Sequence, residues 1–288
     1  MKGFGGDRVR IRGVLLKPPT LMTRQLHDQL AKEYLEELLT PVGKVTTSYK
    51  VRGEVQEVDV FFEPDSSKTA SELPLGLLGK IAQTSCLIEP FRNPPSEVEI
   101  RSCLGKLYNL QGEMIRKGKQ VKNAPKEAEL PVLWILTPTL SQRMLDKFGA
   151  IPSNNGDYGK GVYILPEGYK AGIIVIHHLP KTEETLWLRV LGKGGTQKRA
   201  VEELGELPTD NPYKENLLEI LANWRKNLEV RDNLSREEQE VIMNLSPAYL
   251  KQREEWKQEG IQEGKLEGLQ EGRQEGIREG RQEGIREG

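Results

Sequence analysis

The sequence predicts an α/β protein with a mixed β-sheet flanked by helices, and three observations lead to this fold class. Short apolar, strand-like runs alternate along the chain with longer segments of helical periodicity, an order that places helices against a sheet. The 288 residues are long enough to bury a sizeable core. Only 36% of them are hydrophobic and 30% are charged, so we expect part of the chain to lie outside that core.

Charge and cysteine content exclude several classes of protein. The 42 basic and 43 acidic residues nearly cancel, which argues against a basic, nucleic-acid-binding coat over the whole surface. Cys86 and Cys103 are too few for a disulfide framework or a four-cysteine zinc site, and their apolar neighbours predict buried free thiols. No apolar run is long enough for a transmembrane helix, and the N-terminus lacks a signal-peptide core. We therefore expect a soluble, cytoplasmic protein that does not contact a membrane.

The first part of the chain predicts a helix followed by a β-hairpin. Residues 1–21 are rich in Gly and Arg and are interpreted as an N-terminal extension, with Met22 as a candidate natural start. A genuine N-terminal arm is the alternative. Apolar residues at three- and four-residue spacing predict a helix over Thr23–Leu39. Two strands follow over Lys44–Val51 and Glu54–Phe62, with a turn at residues 52–53.

A buried strand and a capped helix follow the hairpin. In the second hairpin strand, alternation places Asp59 on the face opposite its two valine neighbours. The run Ser85–Glu89 predicts a buried strand that ends at a proline. Ser96 is well placed to cap a helix over Glu97–Lys117. Lys106 lies on this helix and is interpreted as part of a solvated, charged face.

Strands and helices continue to alternate after this helix. Residues 22–195 are predicted to form the α/β domain, and residues 196–258 a helical C-terminal region. The pattern at 182–191 fits either a helix or a strand. The remaining predictions are strands at 132–136, 161–165 and 171–177, and helices near 141–148, 197–204, 213–229 and 235–245.

The last 30 residues form a separate region of low complexity. From Glu259 to Gly288 the dipeptide Glu-Gly recurs every four residues, eight times in all. Glycine disfavours a helix by about 1 kcal/mol per residue, whereas the intervening Glu, Gln, Arg and Lys favour one. Two interpretations remain open: a marginal helix that strengthens by coiled-coil-like self-association, or a flexible tail. The first predicts a homo-oligomer formed through the tail.

Two carboxylates are the best candidates for chemistry. Asp59 and Glu89 lie near the ends of adjacent predicted strands, each within an apolar run. Carboxylates avoid full burial unless they are paired or bind a metal ion. Two of them on neighbouring strands can share a Mg²⁺ ion, which prefers oxygen ligands and keeps several waters. The alternative is that both carboxylates are simply solvated at the ends of the sheet.

The order helix, hairpin, EVDVFF, connection, CLIEPFRNP and helix resembles the core of the PD-(D/E)XK nuclease superfamily. Within it, the chain resembles the transposase-like and recombination-promoting nuclease families, in a branch common among cyanobacteria. The segments LPVLWILTP and HHLPKTEETLWLRVLGKG and the Glu-Gly repeats extend the resemblance over roughly residues 22–288. It implies a restriction-endonuclease-like sheet and a metal-dependent DNA endonuclease.

The resemblance implies a role for each matching acidic residue. Asp59 would be the motif aspartate and Glu89 the second acidic ligand of Mg²⁺ or Mn²⁺. The backbone carbonyl of Pro90 is a candidate third ligand. An acid of the first helix would complete the set: Glu33, which we favour, or Glu36 or Glu37.

The chain departs from the motif at the position of its lysine. Two residues after Glu89, where the motif has Lys, this chain has Phe91. Arg92, one position further on, and Lys80, in the preceding connection, are the candidates for the missing catalytic cation. The departure leaves an alternative function open, a catalytically silent binding or assembly module that self-associates through its tail.

Overall fold

The computed structural model describes residues 19–51, 56–65, 67, 74–153, 158–230, 234 and 236–286. The strands are β1 (Gly43–Val51), β2 (Gln56–Pro64), β3 (Cys86–Pro90), β4 (Val132–Thr137), β5 (Ile151–Pro152), β6 (Val162–Ile164) and β7 (Ala171–Val175). The helices are α1 (Pro19–Leu39), α2 (Gly76–Ile81), α3 (Glu97–Gln120), α4 (Gln142–Lys147), α5 (Leu186–Val190), α6 (Gly194–Glu206), α7 (Lys214–Glu229) and α8 (Arg236–Arg286). The predicted α/β class is confirmed.

The strands form one mixed sheet in the order β1-β2-β3-β4-β7-β6-β5. β2 pairs antiparallel with β1 on one side and with β3 on the other, whereas β3, β4 and β7 run parallel. Because parallel neighbours need a crossover connection, α3 carries the chain from the end of β3 back to the start of β4. β6 and β5 complete the sheet as antiparallel strands.

The sheet separates two hydrophobic cores. The first core contains α1, α2 and the C-terminal helices, and its buried side chains include Tyr34, Leu35 and Leu217. The second core contains α3 and α4, with Ile100 and Leu107 fully buried. The first core includes residues from both sides of the boundary predicted at 195/196, so the helical C-terminal region packs directly against α1.

The strict alternation predicted around Asp59 is not observed in β2. Val60 packs in the first core, as alternation requires, but Val58 packs in the second. Thr47 pairs with Val60 and Tyr49 with Val58, which leaves Ser48 across from Asp59. Ser48 has a left-handed backbone, with φ of 54°, and this conformation is strained for a residue other than glycine. The side-chain alternation of the hairpin therefore breaks at the position of Asp59.

Several other expectations are resolved by the structure. Residues 182–191 were predicted to form either a helix or a strand, and the structure has helix α5 within this segment. The helix predicted to end at residue 245 instead continues without a break as α8 to Arg286. Strand β5 was not predicted. Both cysteines are buried free thiols, as predicted, and burial raises the pKa of Cys86 to about 12. Residues 1–18 and the predicted turn at 52–53 lie outside the described residues.

Helix α8 has a buried first part and an exposed second part. Val241 and Leu245 pack in the first core beside α6 and α7. Further along, the apolar side chains that the structure describes are exposed: Leu250, Ile261, Leu266 and Leu269. The glycines of the repeat that the structure describes face open space. The described part of the repeat therefore contributes nothing to the core.

Candidate functional site

The two carboxylates predicted from the sequence lie across from each other on adjacent strands. β2 and β3 are paired from Phe62 with Cys86 to Val60 with Ile88. The same register places Asp59 across from Glu89, directly after the last pair. The Asp59 charge raises the pKa of Glu89, which shows that the two carboxylates interact. The structure thus brings together the two residues on which the sequence prediction depends.

Glu89 is a buried carboxylate held by a lysine. Its side chain is only 3% exposed. The ammonium of Lys106, on α3, donates hydrogen bonds to both carboxylate oxygens, at 2.9 Å to Oε1 and 2.8 Å to Oε2. Cys103, one helical turn earlier, donates from Sγ to Oε2 at 3.8 Å. Both carboxylate oxygens of Glu89 therefore accept hydrogen bonds from side chains of α3.

The start of α3 determines which of its side chains face Glu89. The Ser96 hydroxyl accepts a hydrogen bond from the Glu99 amide, and the Glu99 carboxylate accepts one from the Ser96 amide at 2.8 Å. This capping box, which includes the predicted Ser96 cap, fixes the first turn. Ile100, Cys103 and Leu107 then face the sheet. Lys106 lies at the border of this apolar face and is only 16% exposed, so the prediction that it belongs to a solvated face was wrong.

The charges of Glu89 and Lys106 depend on each other. Burial, followed by the Asp59 charge, raises the pKa of Glu89 to about 7. Lys106 and a backbone hydrogen bond from Asp59 act in the opposite direction. Burial lowers the pKa of Lys106, but its interactions with Glu89 outweigh that effect and the net pKa is raised. Burial therefore favours the neutral form of Glu89, whereas the ion pair favours the charged form of Lys106.

Asp59 has a lysine partner of its own. The Lys32 ammonium, on α1, lies 3.0 Å from Asp59 Oδ1 and 3.5 Å from Glu57 Oε1. It also donates a hydrogen bond to the hydroxyl of Ser48 at 3.1 Å. The site at the end of β2 and β3 therefore contains two carboxylates and two ammonium groups, with one lysine from α1 and one from α3.

The first-helix acid favoured by the sequence does not join the site. Glu33 accepts hydrogen bonds from Trp224 Nε1 at 2.8 Å and from Gln29 Nε2 at 3.0 Å. It thereby links α1 to α7 instead of approaching Asp59. The residue of α1 that reaches Asp59 is its neighbour, Lys32.

Neither predicted catalytic cation approaches the carboxylates. Arg92 is 4% exposed and donates to the Gly192 carbonyl at 3.0 Å and to Gln197 Oε1 at 3.4 Å, so it ties the β3–α3 connection to α6. Lys80 is exposed on α2, which packs in the first core, whereas Glu89 faces α3 across the sheet. Phe91, at the motif lysine position, packs against the second core.

Lys106 and Lys32 are the site residues that sequence reasoning missed. Lys106 lies three residues after Cys103 and four before Leu110, both of which are buried. This helical spacing indicates a position beside the apolar stripe, and it was the available signal. For Lys32 the signal is weaker, because its contact with Asp59 depends on the packing of α1 against the hairpin.

The two carboxylates suit a Mg²⁺ ion. Within the part of the chain that the structure describes, no three His, Cys, Asp or Glu side chains form a group that could hold a metal ion. Mg²⁺, however, is commonly bound through one or two carboxylates, with waters and substrate phosphates as the other ligands. Asp59 and Glu89, which lie across from each other on adjacent strands, supply that pair of carboxylates.

Comparisons with protein-family models, with curated proteins and with solved structures find no match for this chain. The resemblance to PD-(D/E)XK nucleases therefore remains a prediction. Of the helices in the described residues, none combines the length and the apolar character needed to cross a membrane.

Proposed function

We propose that this chain is a metal-dependent DNA endonuclease of the PD-(D/E)XK type. The observation that carries the proposal is the placement of Asp59 across from the buried Glu89, with the Lys106 ammonium on both Glu89 oxygens. The order of elements supports it: α1, a hairpin, β3, the crossover helix α3 and the parallel strand β4 follow the order on which the resemblance rests. The restriction-endonuclease-like sheet is part of the same proposal.

Each residue of the site has a role in phosphodiester hydrolysis. Asp59 and Glu89 would hold the divalent cation through their carboxylate oxygens. When bound, such a cation would activate water and neutralise negative charge on the phosphodiester. The water would lose a proton to solvent and its oxygen would bond to phosphorus, while the bond from phosphorus to the leaving ester oxygen breaks and that oxygen takes a proton from solvent.

Lys106 takes the place of the motif lysine in this proposal. Its pKa is raised, so it stays protonated and serves as a hydrogen-bond donor to the developing negative charge, not as a base. Phe91 then needs no catalytic role. A lysine reaching the site from the helix after β3 compensates for the departure of the sequence from the motif.

The test is DNA cleavage with Mg²⁺ or Mn²⁺ by the full chain and by Asp59→Asn, Glu89→Gln and Lys106→Met. We expect each substitution to lower the cleavage rate by about 100-fold or more, the effect typical of removing one transition-state donor. Two matched controls should cleave like the wild type: Glu63→Gln, on the same hairpin, and Lys119→Met, at an exposed lysine of α3. Cleavage that survives chelation of the cation, or survives Asp59→Asn and Glu89→Gln, would contradict the proposal.

A second candidate function is a catalytically silent binding or assembly module. It is favoured by the pairing of each carboxylate with its own lysine, which neutralises the site without a cation. In that case calorimetric titration of the wild type with Mn²⁺ gives no binding heat. Oligomers that disappear when residues 259–288 are deleted would identify the tail as the assembly element.

A further inference from the structure

A polar cleft of about 470 Å³ opens between α1 and β1, next to the Asp59 site. Its lining is rich in carboxylates and contains one lysine: Asp28, Gln29, Lys32, Glu33, Glu36, Thr47 and Ser48. Lys32 lies between the cleft and the candidate metal site, because its side chain lines the cleft and its ammonium contacts Asp59. The cleft and the candidate metal site thus share one side chain.

The position of Lys32 on α1 gives its ammonium a second set of anionic partners. Asp28 lies four residues before it and Glu36 four residues after it, a spacing that puts all three on one face of the helix. Asp28 already interacts with Lys32, since its charge helps to raise the Lys32 pKa. Glu33 accepts a hydrogen bond from Trp224, and Asp28 and Glu36 are the cleft carboxylates on the Lys32 face of the helix.

The contacts of the Lys32 ammonium with the site are divided among several partners, so it can move away from any one of them. Its ammonium is shared among Asp59, Glu57 and Ser48, and the side chain keeps 17% of its surface exposed. A lysine has a long flexible stem and a compact charge, so a change of rotamer can move the ammonium without moving the helix. The cleft provides the space for that change.

We propose that Lys32 is a displaceable counter-ion of the site. It neutralises Asp59 when no divalent cation is bound and turns toward Asp28 and Glu36 in the cleft when a cation occupies Asp59. Asp59, Glu57 and Glu89 carry three negative charges beside two ammonium groups, so a divalent cation bound beside both lysines would leave the site with an excess of one positive charge. Departure of Lys32 reduces this excess. The inference rests on the proposed function, because it concerns the cation of the same site.

The experiment is calorimetric titration of the full chain with Mn²⁺, using wild type, Lys32→Met, the double variant Asp28→Asn/Glu36→Gln, and all three substitutions together. We expect Lys32→Met to bind Mn²⁺ about fivefold more tightly, the upper range for losing a partly exposed ion pair. The double variant should bind more weakly, because the displaced ammonium loses its new partners. In the Lys32→Met background the same two substitutions should have a clearly smaller effect.

This comparison of four proteins separates displacement from a general charge effect. If Lys32 only repels the cation at a distance, the effects of the substitutions add, and the inference is overturned. Lys44→Met is the matched control, since Lys44 is an exposed lysine at the other end of the same hairpin, paired with Glu63. It should leave the Mn²⁺ affinity unchanged. Lys32→Gln provides the same readout if Lys32→Met does not fold, as judged by circular dichroism.

The failure of this inference differs from the failure of the proposed function. Equal Mn²⁺ affinities of wild type and Lys32→Met would overturn the counter-ion role alone. An absence of binding heat in both would overturn the metal site and the counter-ion role together. Tighter binding by Lys32→Met, with coupling to Asp28 and Glu36, would support both.

Discussion

Two lysine–carboxylate pairs meet at one end of the sheet, and their surroundings differ. Lys106 and Glu89 are 16% and 3% exposed, and the ammonium contacts both carboxylate oxygens. Lys32 and Asp59 are 17% and 21% exposed, and the ammonium is divided among three partners. The difference lies mainly in the carboxylate, which is enclosed by α3 in one pair and partly exposed in the other.

This difference determines what each lysine contributes. A buried carboxylate that loses its only cation is left without compensation, so the Lys106 pair is needed for the fold as well as for chemistry. Water can solvate a partly exposed carboxylate, so the Lys32–Asp59 ion pair adds little stability. The Lys32 ammonium can therefore leave Asp59 for another partner.

Lys106→Met should cause the largest loss of stability. Above pH 7, where Glu89 is ionised, we expect the free energy of unfolding to fall by about 3 kcal/mol or more, because a buried charge loses its partner. Below pH 4.5 the loss should shrink, since Glu89 then carries a proton. Urea unfolding measures both values. Lys119→Met, at an exposed lysine of the same helix, should change the stability by about 0.5 kcal/mol or less. Equal losses for the two variants would contradict the contrast.

Glu89→Gln should remove a pH dependence of stability. The folded-state pKa of about 7 lies above the ordinary value of 4.5, so the folded protein binds more protons than the unfolded chain between these pH values. This contribution to stability is complete below pH 4.5 and is lost as the pH rises through 7. Relative to Glu89→Gln, the wild type should lose up to about 3 kcal/mol over this range in buffer free of divalent cations. Parallel pH profiles of the two proteins would show that Glu89 has no raised pKa.

Lys32→Met should have a much smaller effect on stability than Lys106→Met. We expect a loss of about 1 kcal/mol or less, because both Lys32 and Asp59 keep contact with solvent. The urea midpoints of the two variants, measured side by side at the same pH, test the comparison directly. A loss for Lys32→Met as large as for Lys106→Met would mean that Asp59 depends on its lysine as strongly as Glu89 does.

Deletion of residues 259–288 should have the smallest effect on the folded domain. The described side chains of this segment are exposed, and its described glycines face open space. We expect the free energy of unfolding to change by about 0.5 kcal/mol or less. Size-exclusion chromatography of the same variant tests the predicted self-association through the tail. A large loss of stability in a chain that is monomeric at full length would show that the repeat packs against the domain.

Local sequence signals predicted most of the fold. The apolar periodicity of α3 and α7, the alternation in the hairpin and the Ser96 cap are each set by residues close in the chain. The two-residue strand β5 has no such signal, and the break in alternation at Asp59 depends on the backbone of Ser48, which lies on the partner strand. The continuation of α8 through a glycine-rich repeat runs against helix propensity, so it too was left open by the sequence.

The sequence placed Asp59 and Glu89 on adjacent strands, but it did not predict the lysines that contact them. Asp59 and Glu89 are marked by their place in apolar strand-like runs, and strand order brings them together. A lysine carries no such mark, because an exposed and a buried lysine look alike in sequence. Arg92 is near Glu89 in sequence, yet it points to α6, while Lys106 is seventeen residues away from Glu89 and contacts it.

The buried polar chain from Arg92 through Gln197 to Asn244 limits how the protein can be divided. Gln197 Oε1 accepts hydrogen bonds from Arg92 at 3.4 Å and from Asn244 Nδ2 at 3.1 Å, so α6 and α8 are bound to the segment that follows Glu89. A polypeptide that ends at residue 195 would lack Gln197 and Asn244, and its first core would be exposed to solvent. The α/β part and the C-terminal helices should therefore unfold in one cooperative step, and dissecting them into separate fragments should destroy both.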